Sequence, residues 1–198
     1  MSIFKVKDDL FKVCLVGDGS VGKTAITERF LGKDFSAHYN LTIGTNICTH
    51  ALEIVGTGAR VKFQIWDLAG QQRFEFVRST FYRGSHAAVM VFDVTNPDSF
   101  TNLKEWKFEI LQNISPRNIP LPVVLIGNKC DLQREELIKP TEIATLREEL
   151  KLDFRIESIP FLYTSALSGM NINESFEALG HLLIQKRFPE NLEKVPAI

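Results

Sequence analysis

Gly17-Asp18-Gly19-Ser20-Val21-Gly22-Lys23-Thr24 fits the pattern G-x-x-x-x-G-K-[ST], with Ala25 following it. These residues in this order suit the binding of a polyphosphate. Small residues let successive backbone N–H groups curl around phosphate oxygens, and a helix N-terminus adds positive potential. Lys23 can reach the β- and γ-phosphates, and the Thr24 hydroxyl is placed to ligate Mg²⁺, which takes oxygen ligands and keeps several waters. The motif leaves the nucleotide open, because ATPases, nucleotide kinases and GTPases share it.

Asn128-Lys129-Cys130-Asp131 supplies what a base reader needs. The Asp131 carboxylate can accept from both donors on the edge of guanine, the ring N–H and the exocyclic amine, while the Lys129 stem packs on the base. Adenine lacks that pair, and a site built to bond such groups rejects the analogue without them by roughly 10⁴ to 10⁵. Thr164-Ser165-Ala166-Leu167 offers small residues whose amides can meet the guanine carbonyl oxygen. In Trp66-Asp67-Leu68-Ala69-Gly70-Gln71-Gln72-Arg73-Phe74, Asp67 suits a Mg²⁺-bound water, Gly70 lets a backbone N–H approach a γ-phosphate, and Gln71 is the candidate for orienting an attacking water. Thr42, within Tyr39-Asn40-Leu41-Thr42-Ile43-Gly44, is a second candidate hydroxyl ligand to Mg²⁺.

Each of these motifs needs an element to hold it. Phe11 to Val16 is an apolar run ending in Gly17, and Lys23 to Phe30 favours helix, so the phosphate loop joins a strand to a helix. Ile47 to Val55 and Val61 to Asp67 flank Gly56-Thr57-Gly58 and predict an antiparallel hairpin. Ala87 to Phe92 and Val123 to Ile126 are apolar without alternation, as in strands covered on both faces, and Phe161 to Tyr163 is a shorter candidate of the same kind. Helices are predicted after an Asn96-Pro97 cap (Phe100, Leu103, Ile110, Leu111 and Ile114 on one face), after a Thr141 cap (Ile143, Leu146, Leu150) and after an Asn171 cap (Phe176, Leu179, Leu182, Leu183). Alternating strands and helices argue for a mostly parallel sheet with helices on both faces and ligands at the carboxyl ends of the strands.

Composition narrows the function classes. The 198 residues are 44% hydrophobic and 24% charged, the balance of a globular protein for which one domain is the prior. A formal net charge of -1 supplies no global positive field for a nucleic-acid backbone or an anionic membrane. No apolar run nears the roughly 20 residues of a membrane helix, and Met1 to Lys12 lacks the apolar core of a secretory signal, so an intracellular protein is expected. Cys14, Cys48 and Cys130 include no C-x-x-C pair and the four histidines are scattered, which suggests neither a disulfide framework nor a zinc site; Cys14 reads as a small buried hydrophobe.

With these motifs in this order, the chain resembles a Ras-superfamily small GTPase, most closely the Rab branch, from Phe11 to Phe188. Lys62-Phe63-Gln64-Ile65-Trp66-Asp67, Gln72-Arg73-Phe74 and Phe81-Tyr82-Arg83-Gly84-Ser85-His86 carry the Rab-like detail. The resemblance implies an α/β P-loop G-domain over residues 11–188, with six strands (one antiparallel), about five helices, and short tails at 1–10 and 189–198. It implies that Phe35 packs against guanine, that Tyr39 closes over the phosphates, and that GTP is hydrolysed to GDP with Mg²⁺. Exchange factors, activating proteins and effectors are then expected on Phe35 to Gly44 and Leu68 to Tyr82, the segments that move. A cytoplasmic monomer is expected. Leu68 stands where the family usually has Thr, Leu167 where a Lys commonly stacks on the base, and Ile47 where Rab proteins typically have Phe. Gly19 occupies the loop position where side chains impair hydrolysis in this family, which together with Gln71 favours a hydrolysing enzyme. A metabolite kinase and a nucleotide-binding scaffold with little hydrolysis are the competing readings. No cysteine follows Cys130 to carry a prenyl group, and Ser2 stands where N-myristoylation requires glycine; either the tail is truncated or membranes would be reached only through partners, if at all.

Overall fold

The computed structural model describes residues 10–35, 42, 44–71, 75–114, 120–132, 135 and 137–187. Tyr39, Gln72, Arg73, Phe74 and both expected tails apart from Leu10 lie outside the described residues. Among the described residues six strands form one sheet: β1 (Leu10–Val16), β2 (Thr45–Ile54), β3 (Ala59–Leu68), β4 (Ala87–Asp93), β5 (Val123–Asn128) and β6 (Phe161–Tyr163). They lie in the order β2-β3-β1-β4-β5-β6. Among the described residues only the β2–β3 pairing is antiparallel, as the hairpin pattern predicts, with Ile54 opposite Ala59 across the turn. Gly56 and Gly58 take positive φ there (75° and 67°), a conformation that glycine adopts at no steric cost. The five parallel strands all end on one edge of the sheet, the edge at which Gly17, Asp67 to Gln71, Asn128 to Asp131 and Thr164 to Leu167 lie.

The helices are α1 (Lys23–Phe30), α2 (Glu75–Tyr82), α3 (Pro97–Thr101), α4 (Leu103–Asn113), α5 (Pro140–Phe154) and α6 (Ile172–Arg187). Alternation along each central strand explains the unbroken apolar runs. Val13 and Leu15 face a core shared with Ile26 and Phe30 of α1 and Phe176, Leu179 and Leu183 of α6. Cys14 and Val16 face a second core with Leu103, Trp106 and Ile110 of α4 and Ile143, Leu146, Leu150 and Phe154 of α5. Each fully buried Val, Leu, Ile or Phe contributes about 1.5–3 kcal/mol. Cys14 has no exposure, and burial pushes its thiol up to about 11, so it packs as an inert hydrophobe.

Two helix boundaries differ from expectation, and a third is held in an unexpected way. The single helix predicted after Asn96 is divided at Asn102, whose carbonyl accepts from Glu105 N–H at 3.0 Å in a tightened turn. The second helix begins at Pro140 rather than after a Thr141 cap, because proline's fixed φ and missing N–H suit a first turn and Glu142 already accepts from Lys139 N–H (2.9 Å). Asn171 precedes α6 as predicted, but it sits at φ 56° and donates its side-chain amide to Tyr163 O (2.8 Å), tying the start of the helix to β6. Among the described residues no helix is long and apolar enough to cross a membrane.

Candidate functional site

The phosphate loop leaves β1 at Val16 and enters α1 at Lys23. Two of its glycines are demanded by space as well as by conformation. Gly17 sits at φ 137°, where a Cβ would stand 2.1 Å from the Val91 carbonyl oxygen, and Gly22 sits at φ 99°, where it would meet Asn128 Nδ2 at 2.3 Å. Ser20 also takes positive φ (67°). Helix α1 has no side-chain N-cap and no acid in its first turn, so its first N–H groups and positive end remain for an anion. The Lys23 ammonium reaches back over the loop to the carbonyls of Gly17 and Asp18, both at 2.7 Å. Burial pushes its pKa down to about 8, opposed by the carboxylates of Asp67 and Asp18. Val21 and Ala25 serve differently: Val21 is buried in the core and Ala25 packs on it.

Three oxygen-bearing side chains converge beside this loop. Thr24 Oγ1 donates to Asp67 Oδ2 at 2.5 Å and lies 3.0 Å from Thr42 Oγ1. Asp67 is fully buried, and its Oδ1 has no hydrogen-bond partner. Burial raises its pKa, against the Thr24 hydrogen bond and the Lys23 charge. A buried carboxylate with one oxygen unsatisfied and two hydroxyls beside it is a donor set that fits a hard divalent cation and its waters. Next in sequence, Gly70 lies flat against the phosphate loop: a Cβ there would stand 2.4 Å from Asp18 C and 2.5 Å from Gly19 N. A Cβ on Gly19 would stand 3.8 Å from Gln71 Cγ, so Gln71 faces the loop position where a side chain would intrude. Ala69 N–H donates to Gly44 O at 3.0 Å and joins this segment to the one containing Thr42.

The base-reading motif arrives from β5, and its polar groups are committed to the protein. Asn128 donates to Val21 O (2.9 Å) and accepts from Thr164 Oγ1 (3.0 Å) and Ala166 N–H (3.3 Å). It therefore fastens the phosphate loop, β5 and the loop after β6 together. Lys129, at φ 66°, places its ammonium 2.6 Å from Asp93 Oδ2. Ser165 is buried, Ala166 nearly so, and Leu167 is 51% exposed. Phe35, 43% exposed, lies just beyond α1. Asp131 is exposed, and its carboxylate has no hydrogen bond or ion pair among the described residues.

Sequence reasoning missed one cluster. Asp18 turns its carboxylate away from the loop interior and accepts from Asn102 Nδ2 and Trp106 Nε1, both at 2.7 Å. Arg78 on α2 pairs with Glu109 on α4 and donates to carbonyls on both sides of Gly70. These partners lie up to 88 residues apart, so no local pattern announces them. Leu68, unusual against the Thr of the resembled family, is fully buried in the core with Cys14, Val16 and Tyr82, so it is a packing residue.

The sequence model of the Ras family matches residues 12–185 of this chain. Ras-related protein Rab7 of Drosophila melanogaster is 40% identical over 174 residues, covering 87% of this chain and 80% of that protein. Ras-related protein Rab-13 of Rattus norvegicus is 36% identical over 182 residues, 92% of this chain and 84% of that protein. The Ypt/Rab-type GTPase Rab7 of Gibberella zeae is 38% identical over 174 residues, 87% of this chain and 82% of that protein.

Proposed function

Since the chain belongs to the Ras family of small GTPases, we propose that it is a Rab-like molecular switch that binds GTP and GDP and hydrolyses GTP to GDP and phosphate, in the regulation of trafficking. The observation that carries the reading is the convergence of Thr24, Thr42 and Asp67, with its unpartnered Oδ1, beside a phosphate loop faced by Gln71. Residues 11–188 act as one nucleotide-binding domain, since all six strands share one sheet.

In this reading Lys23, the first amides of α1 and the loop amides hold the phosphates and stabilise charge on the transferring phosphoryl group. Thr24, Thr42 and, through water, Asp67 would hold Mg²⁺, which when bound neutralises phosphate charge. Gln71 and the Thr42 carbonyl orient the attacking water, and the Gly70 amide senses the γ-phosphate. Asp131 reads guanine, with Phe35, the Lys129 stem and residues Ser165 to Leu167 enclosing the base; the Ser165 and Ala166 amides already donate to Met170 O and Asn128 Oδ1, and Asn128 holds that loop in place. Loss of the γ-phosphate releases Thr42 and Gly70 and changes the surface over Phe35 to Gly44 and Leu68 to Tyr82, where regulators and effectors bind. The work is done by a monomer in the cytoplasm. Phe35 to Gly44 holds no arginine to act in cis, so unaided turnover should be on the order of 10⁻⁴ to 10⁻³ per second. Denaturing the purified protein and separating the released nucleotide tests base choice, and phosphate release from preloaded GTP tests hydrolysis. Guanine nucleotide and slow phosphate release are expected; adenine nucleotide would overturn the role of Asp131.

A further inference from the structure

Gln71 can orient a water only if its backbone is held still, and the structure shows what holds it. We propose that Arg78, oriented by Glu109, is the positioning residue for Gln71; the proposal rests on the hydrolysis reading above. Arg78 is 3% exposed. Its Nη1 donates to Gln71 O at 2.7 Å and to Ala69 O at 3.1 Å, the carbonyls on either side of Gly70. Its Nε and Nη2 form a fork on the two Glu109 oxygens at 2.8 and 2.9 Å. One guanidinium thus sets the backbone of the residue that faces the γ-phosphate and of the residue that orients the water.

The same frame reaches the phosphate loop. The guanidinium lies 4.4 Å over the Trp106 ring, and Trp106 Nε1 donates to Asp18. Helix α4 therefore carries both the Gln71 segment and the phosphate loop, and fixes one relative to the other. Stability alone does not call for this arrangement, since a buried ion pair can often be exchanged for apolar residues without loss. What an apolar pair cannot do is hold two carbonyls in a set direction, and a lysine, as a point charge, cannot offer the planar fork.

The test is single-turnover hydrolysis of preloaded GTP in Mg²⁺, measured with the nucleotide dissociation rate and the melting temperature, for the whole chain carrying Arg78→Lys or Glu109→Gln, each with Gln71 intact and with Gln71→Ala. Arg78→Lys is expected to slow hydrolysis on the order of tenfold or more while nucleotide dissociation is unchanged, because sub-ångström misplacement of a reacting group is costly. In the Gln71→Ala background it should add no further loss. An equal loss with and without Gln71, or nucleotide release accelerating in step with lost hydrolysis, overturns the proposal in favour of simple packing. Should Arg78→Lys fail to fold, Glu109→Gln, which keeps the shape of its side chain, gives the same comparison. Wild-type protein that hydrolyses while both variants keep pace overturns positioning alone. Wild-type protein that binds GTP without ever releasing phosphate overturns the hydrolysis reading, and this proposal with it.

Discussion

At the phosphate end of the site, Asp67 keeps a buried oxygen without a partner and α1 begins with neither a side-chain cap nor an acid in its first turn. At the base end, Asn128 spends both ends of its amide on the protein, the Lys129 ammonium is paired with Asp93, and the Ala166 amide is taken by Asn128. One end stores unmet bonding capacity and the other has satisfied it internally. The difference follows from what each end must meet. Phosphates and a divalent cation bring strong charge and can satisfy groups that are costly to leave bare. A base brings weak, directional donors, and reading them requires a loop already rigid before binding. Among the described residues, the exposed Asp131 carboxylate is a base-end group left without a hydrogen bond or ion pair, available for recognition.

Three substitutions probe that contrast. The largest effect is expected from Asp131→Ala, which should lower the preference for GTP over ATP by up to about 10⁴ while leaving the melting temperature of nucleotide-free protein unchanged. Competition binding and thermal denaturation measure the two; a fall in melting temperature would mean that Asp131 braces the fold, and the contrast would break. Next comes Asn128→Ala, which strands Val21 O, Thr164 Oγ1 and Ala166 N–H. Leaving these groups unpaired should cost about 3–5 kcal/mol of stability, read from denaturant unfolding of nucleotide-free protein. A loss confined to nucleotide affinity would instead make Asn128 a base ligand. The smallest effect is expected from Gly19→Val, because φ at Gly19 is unexceptional and a Cβ would only touch Gln71 Cγ at 3.8 Å. The added methyls should displace Gln71 and slow single-turnover hydrolysis on the order of tenfold, about 1.4 kcal/mol, with nucleotide binding kept.

Much of the architecture was legible before the structure. The unbroken apolar runs of β4 and β5 announced strands covered on both faces, and the cores on either side of the sheet explain them. Asn102 was read as one residue of a continuous helix, yet it divides α3 from α4 and turns its side chain to Asp18. Asp18 was read only as a loop residue. Leu68 departs from the Thr of the resembled family, and it packs in the core, which depends on which way the last residue of β3 points.

The sequence by itself determined the phosphate loop, the N-K-x-D segment and the run from Asp67 to Gln71, because each is a contiguous stretch whose backbone task dictates its residue types. Gly17 and Gly22 are glycines because of φ values and close approaches that any copy of that loop must adopt. Only the tertiary structure decided that Asn128 is a clamp, that Asp18 bonds to α4, and that Arg78 holds the backbone of Gln71 against Glu109. The residues of those pairs stand between 7 and 107 positions apart. Their meeting depends on strand register and helix packing, and hydrogen bonds need heavy atoms within about 3 Å, a tolerance that no sequence spacing conveys.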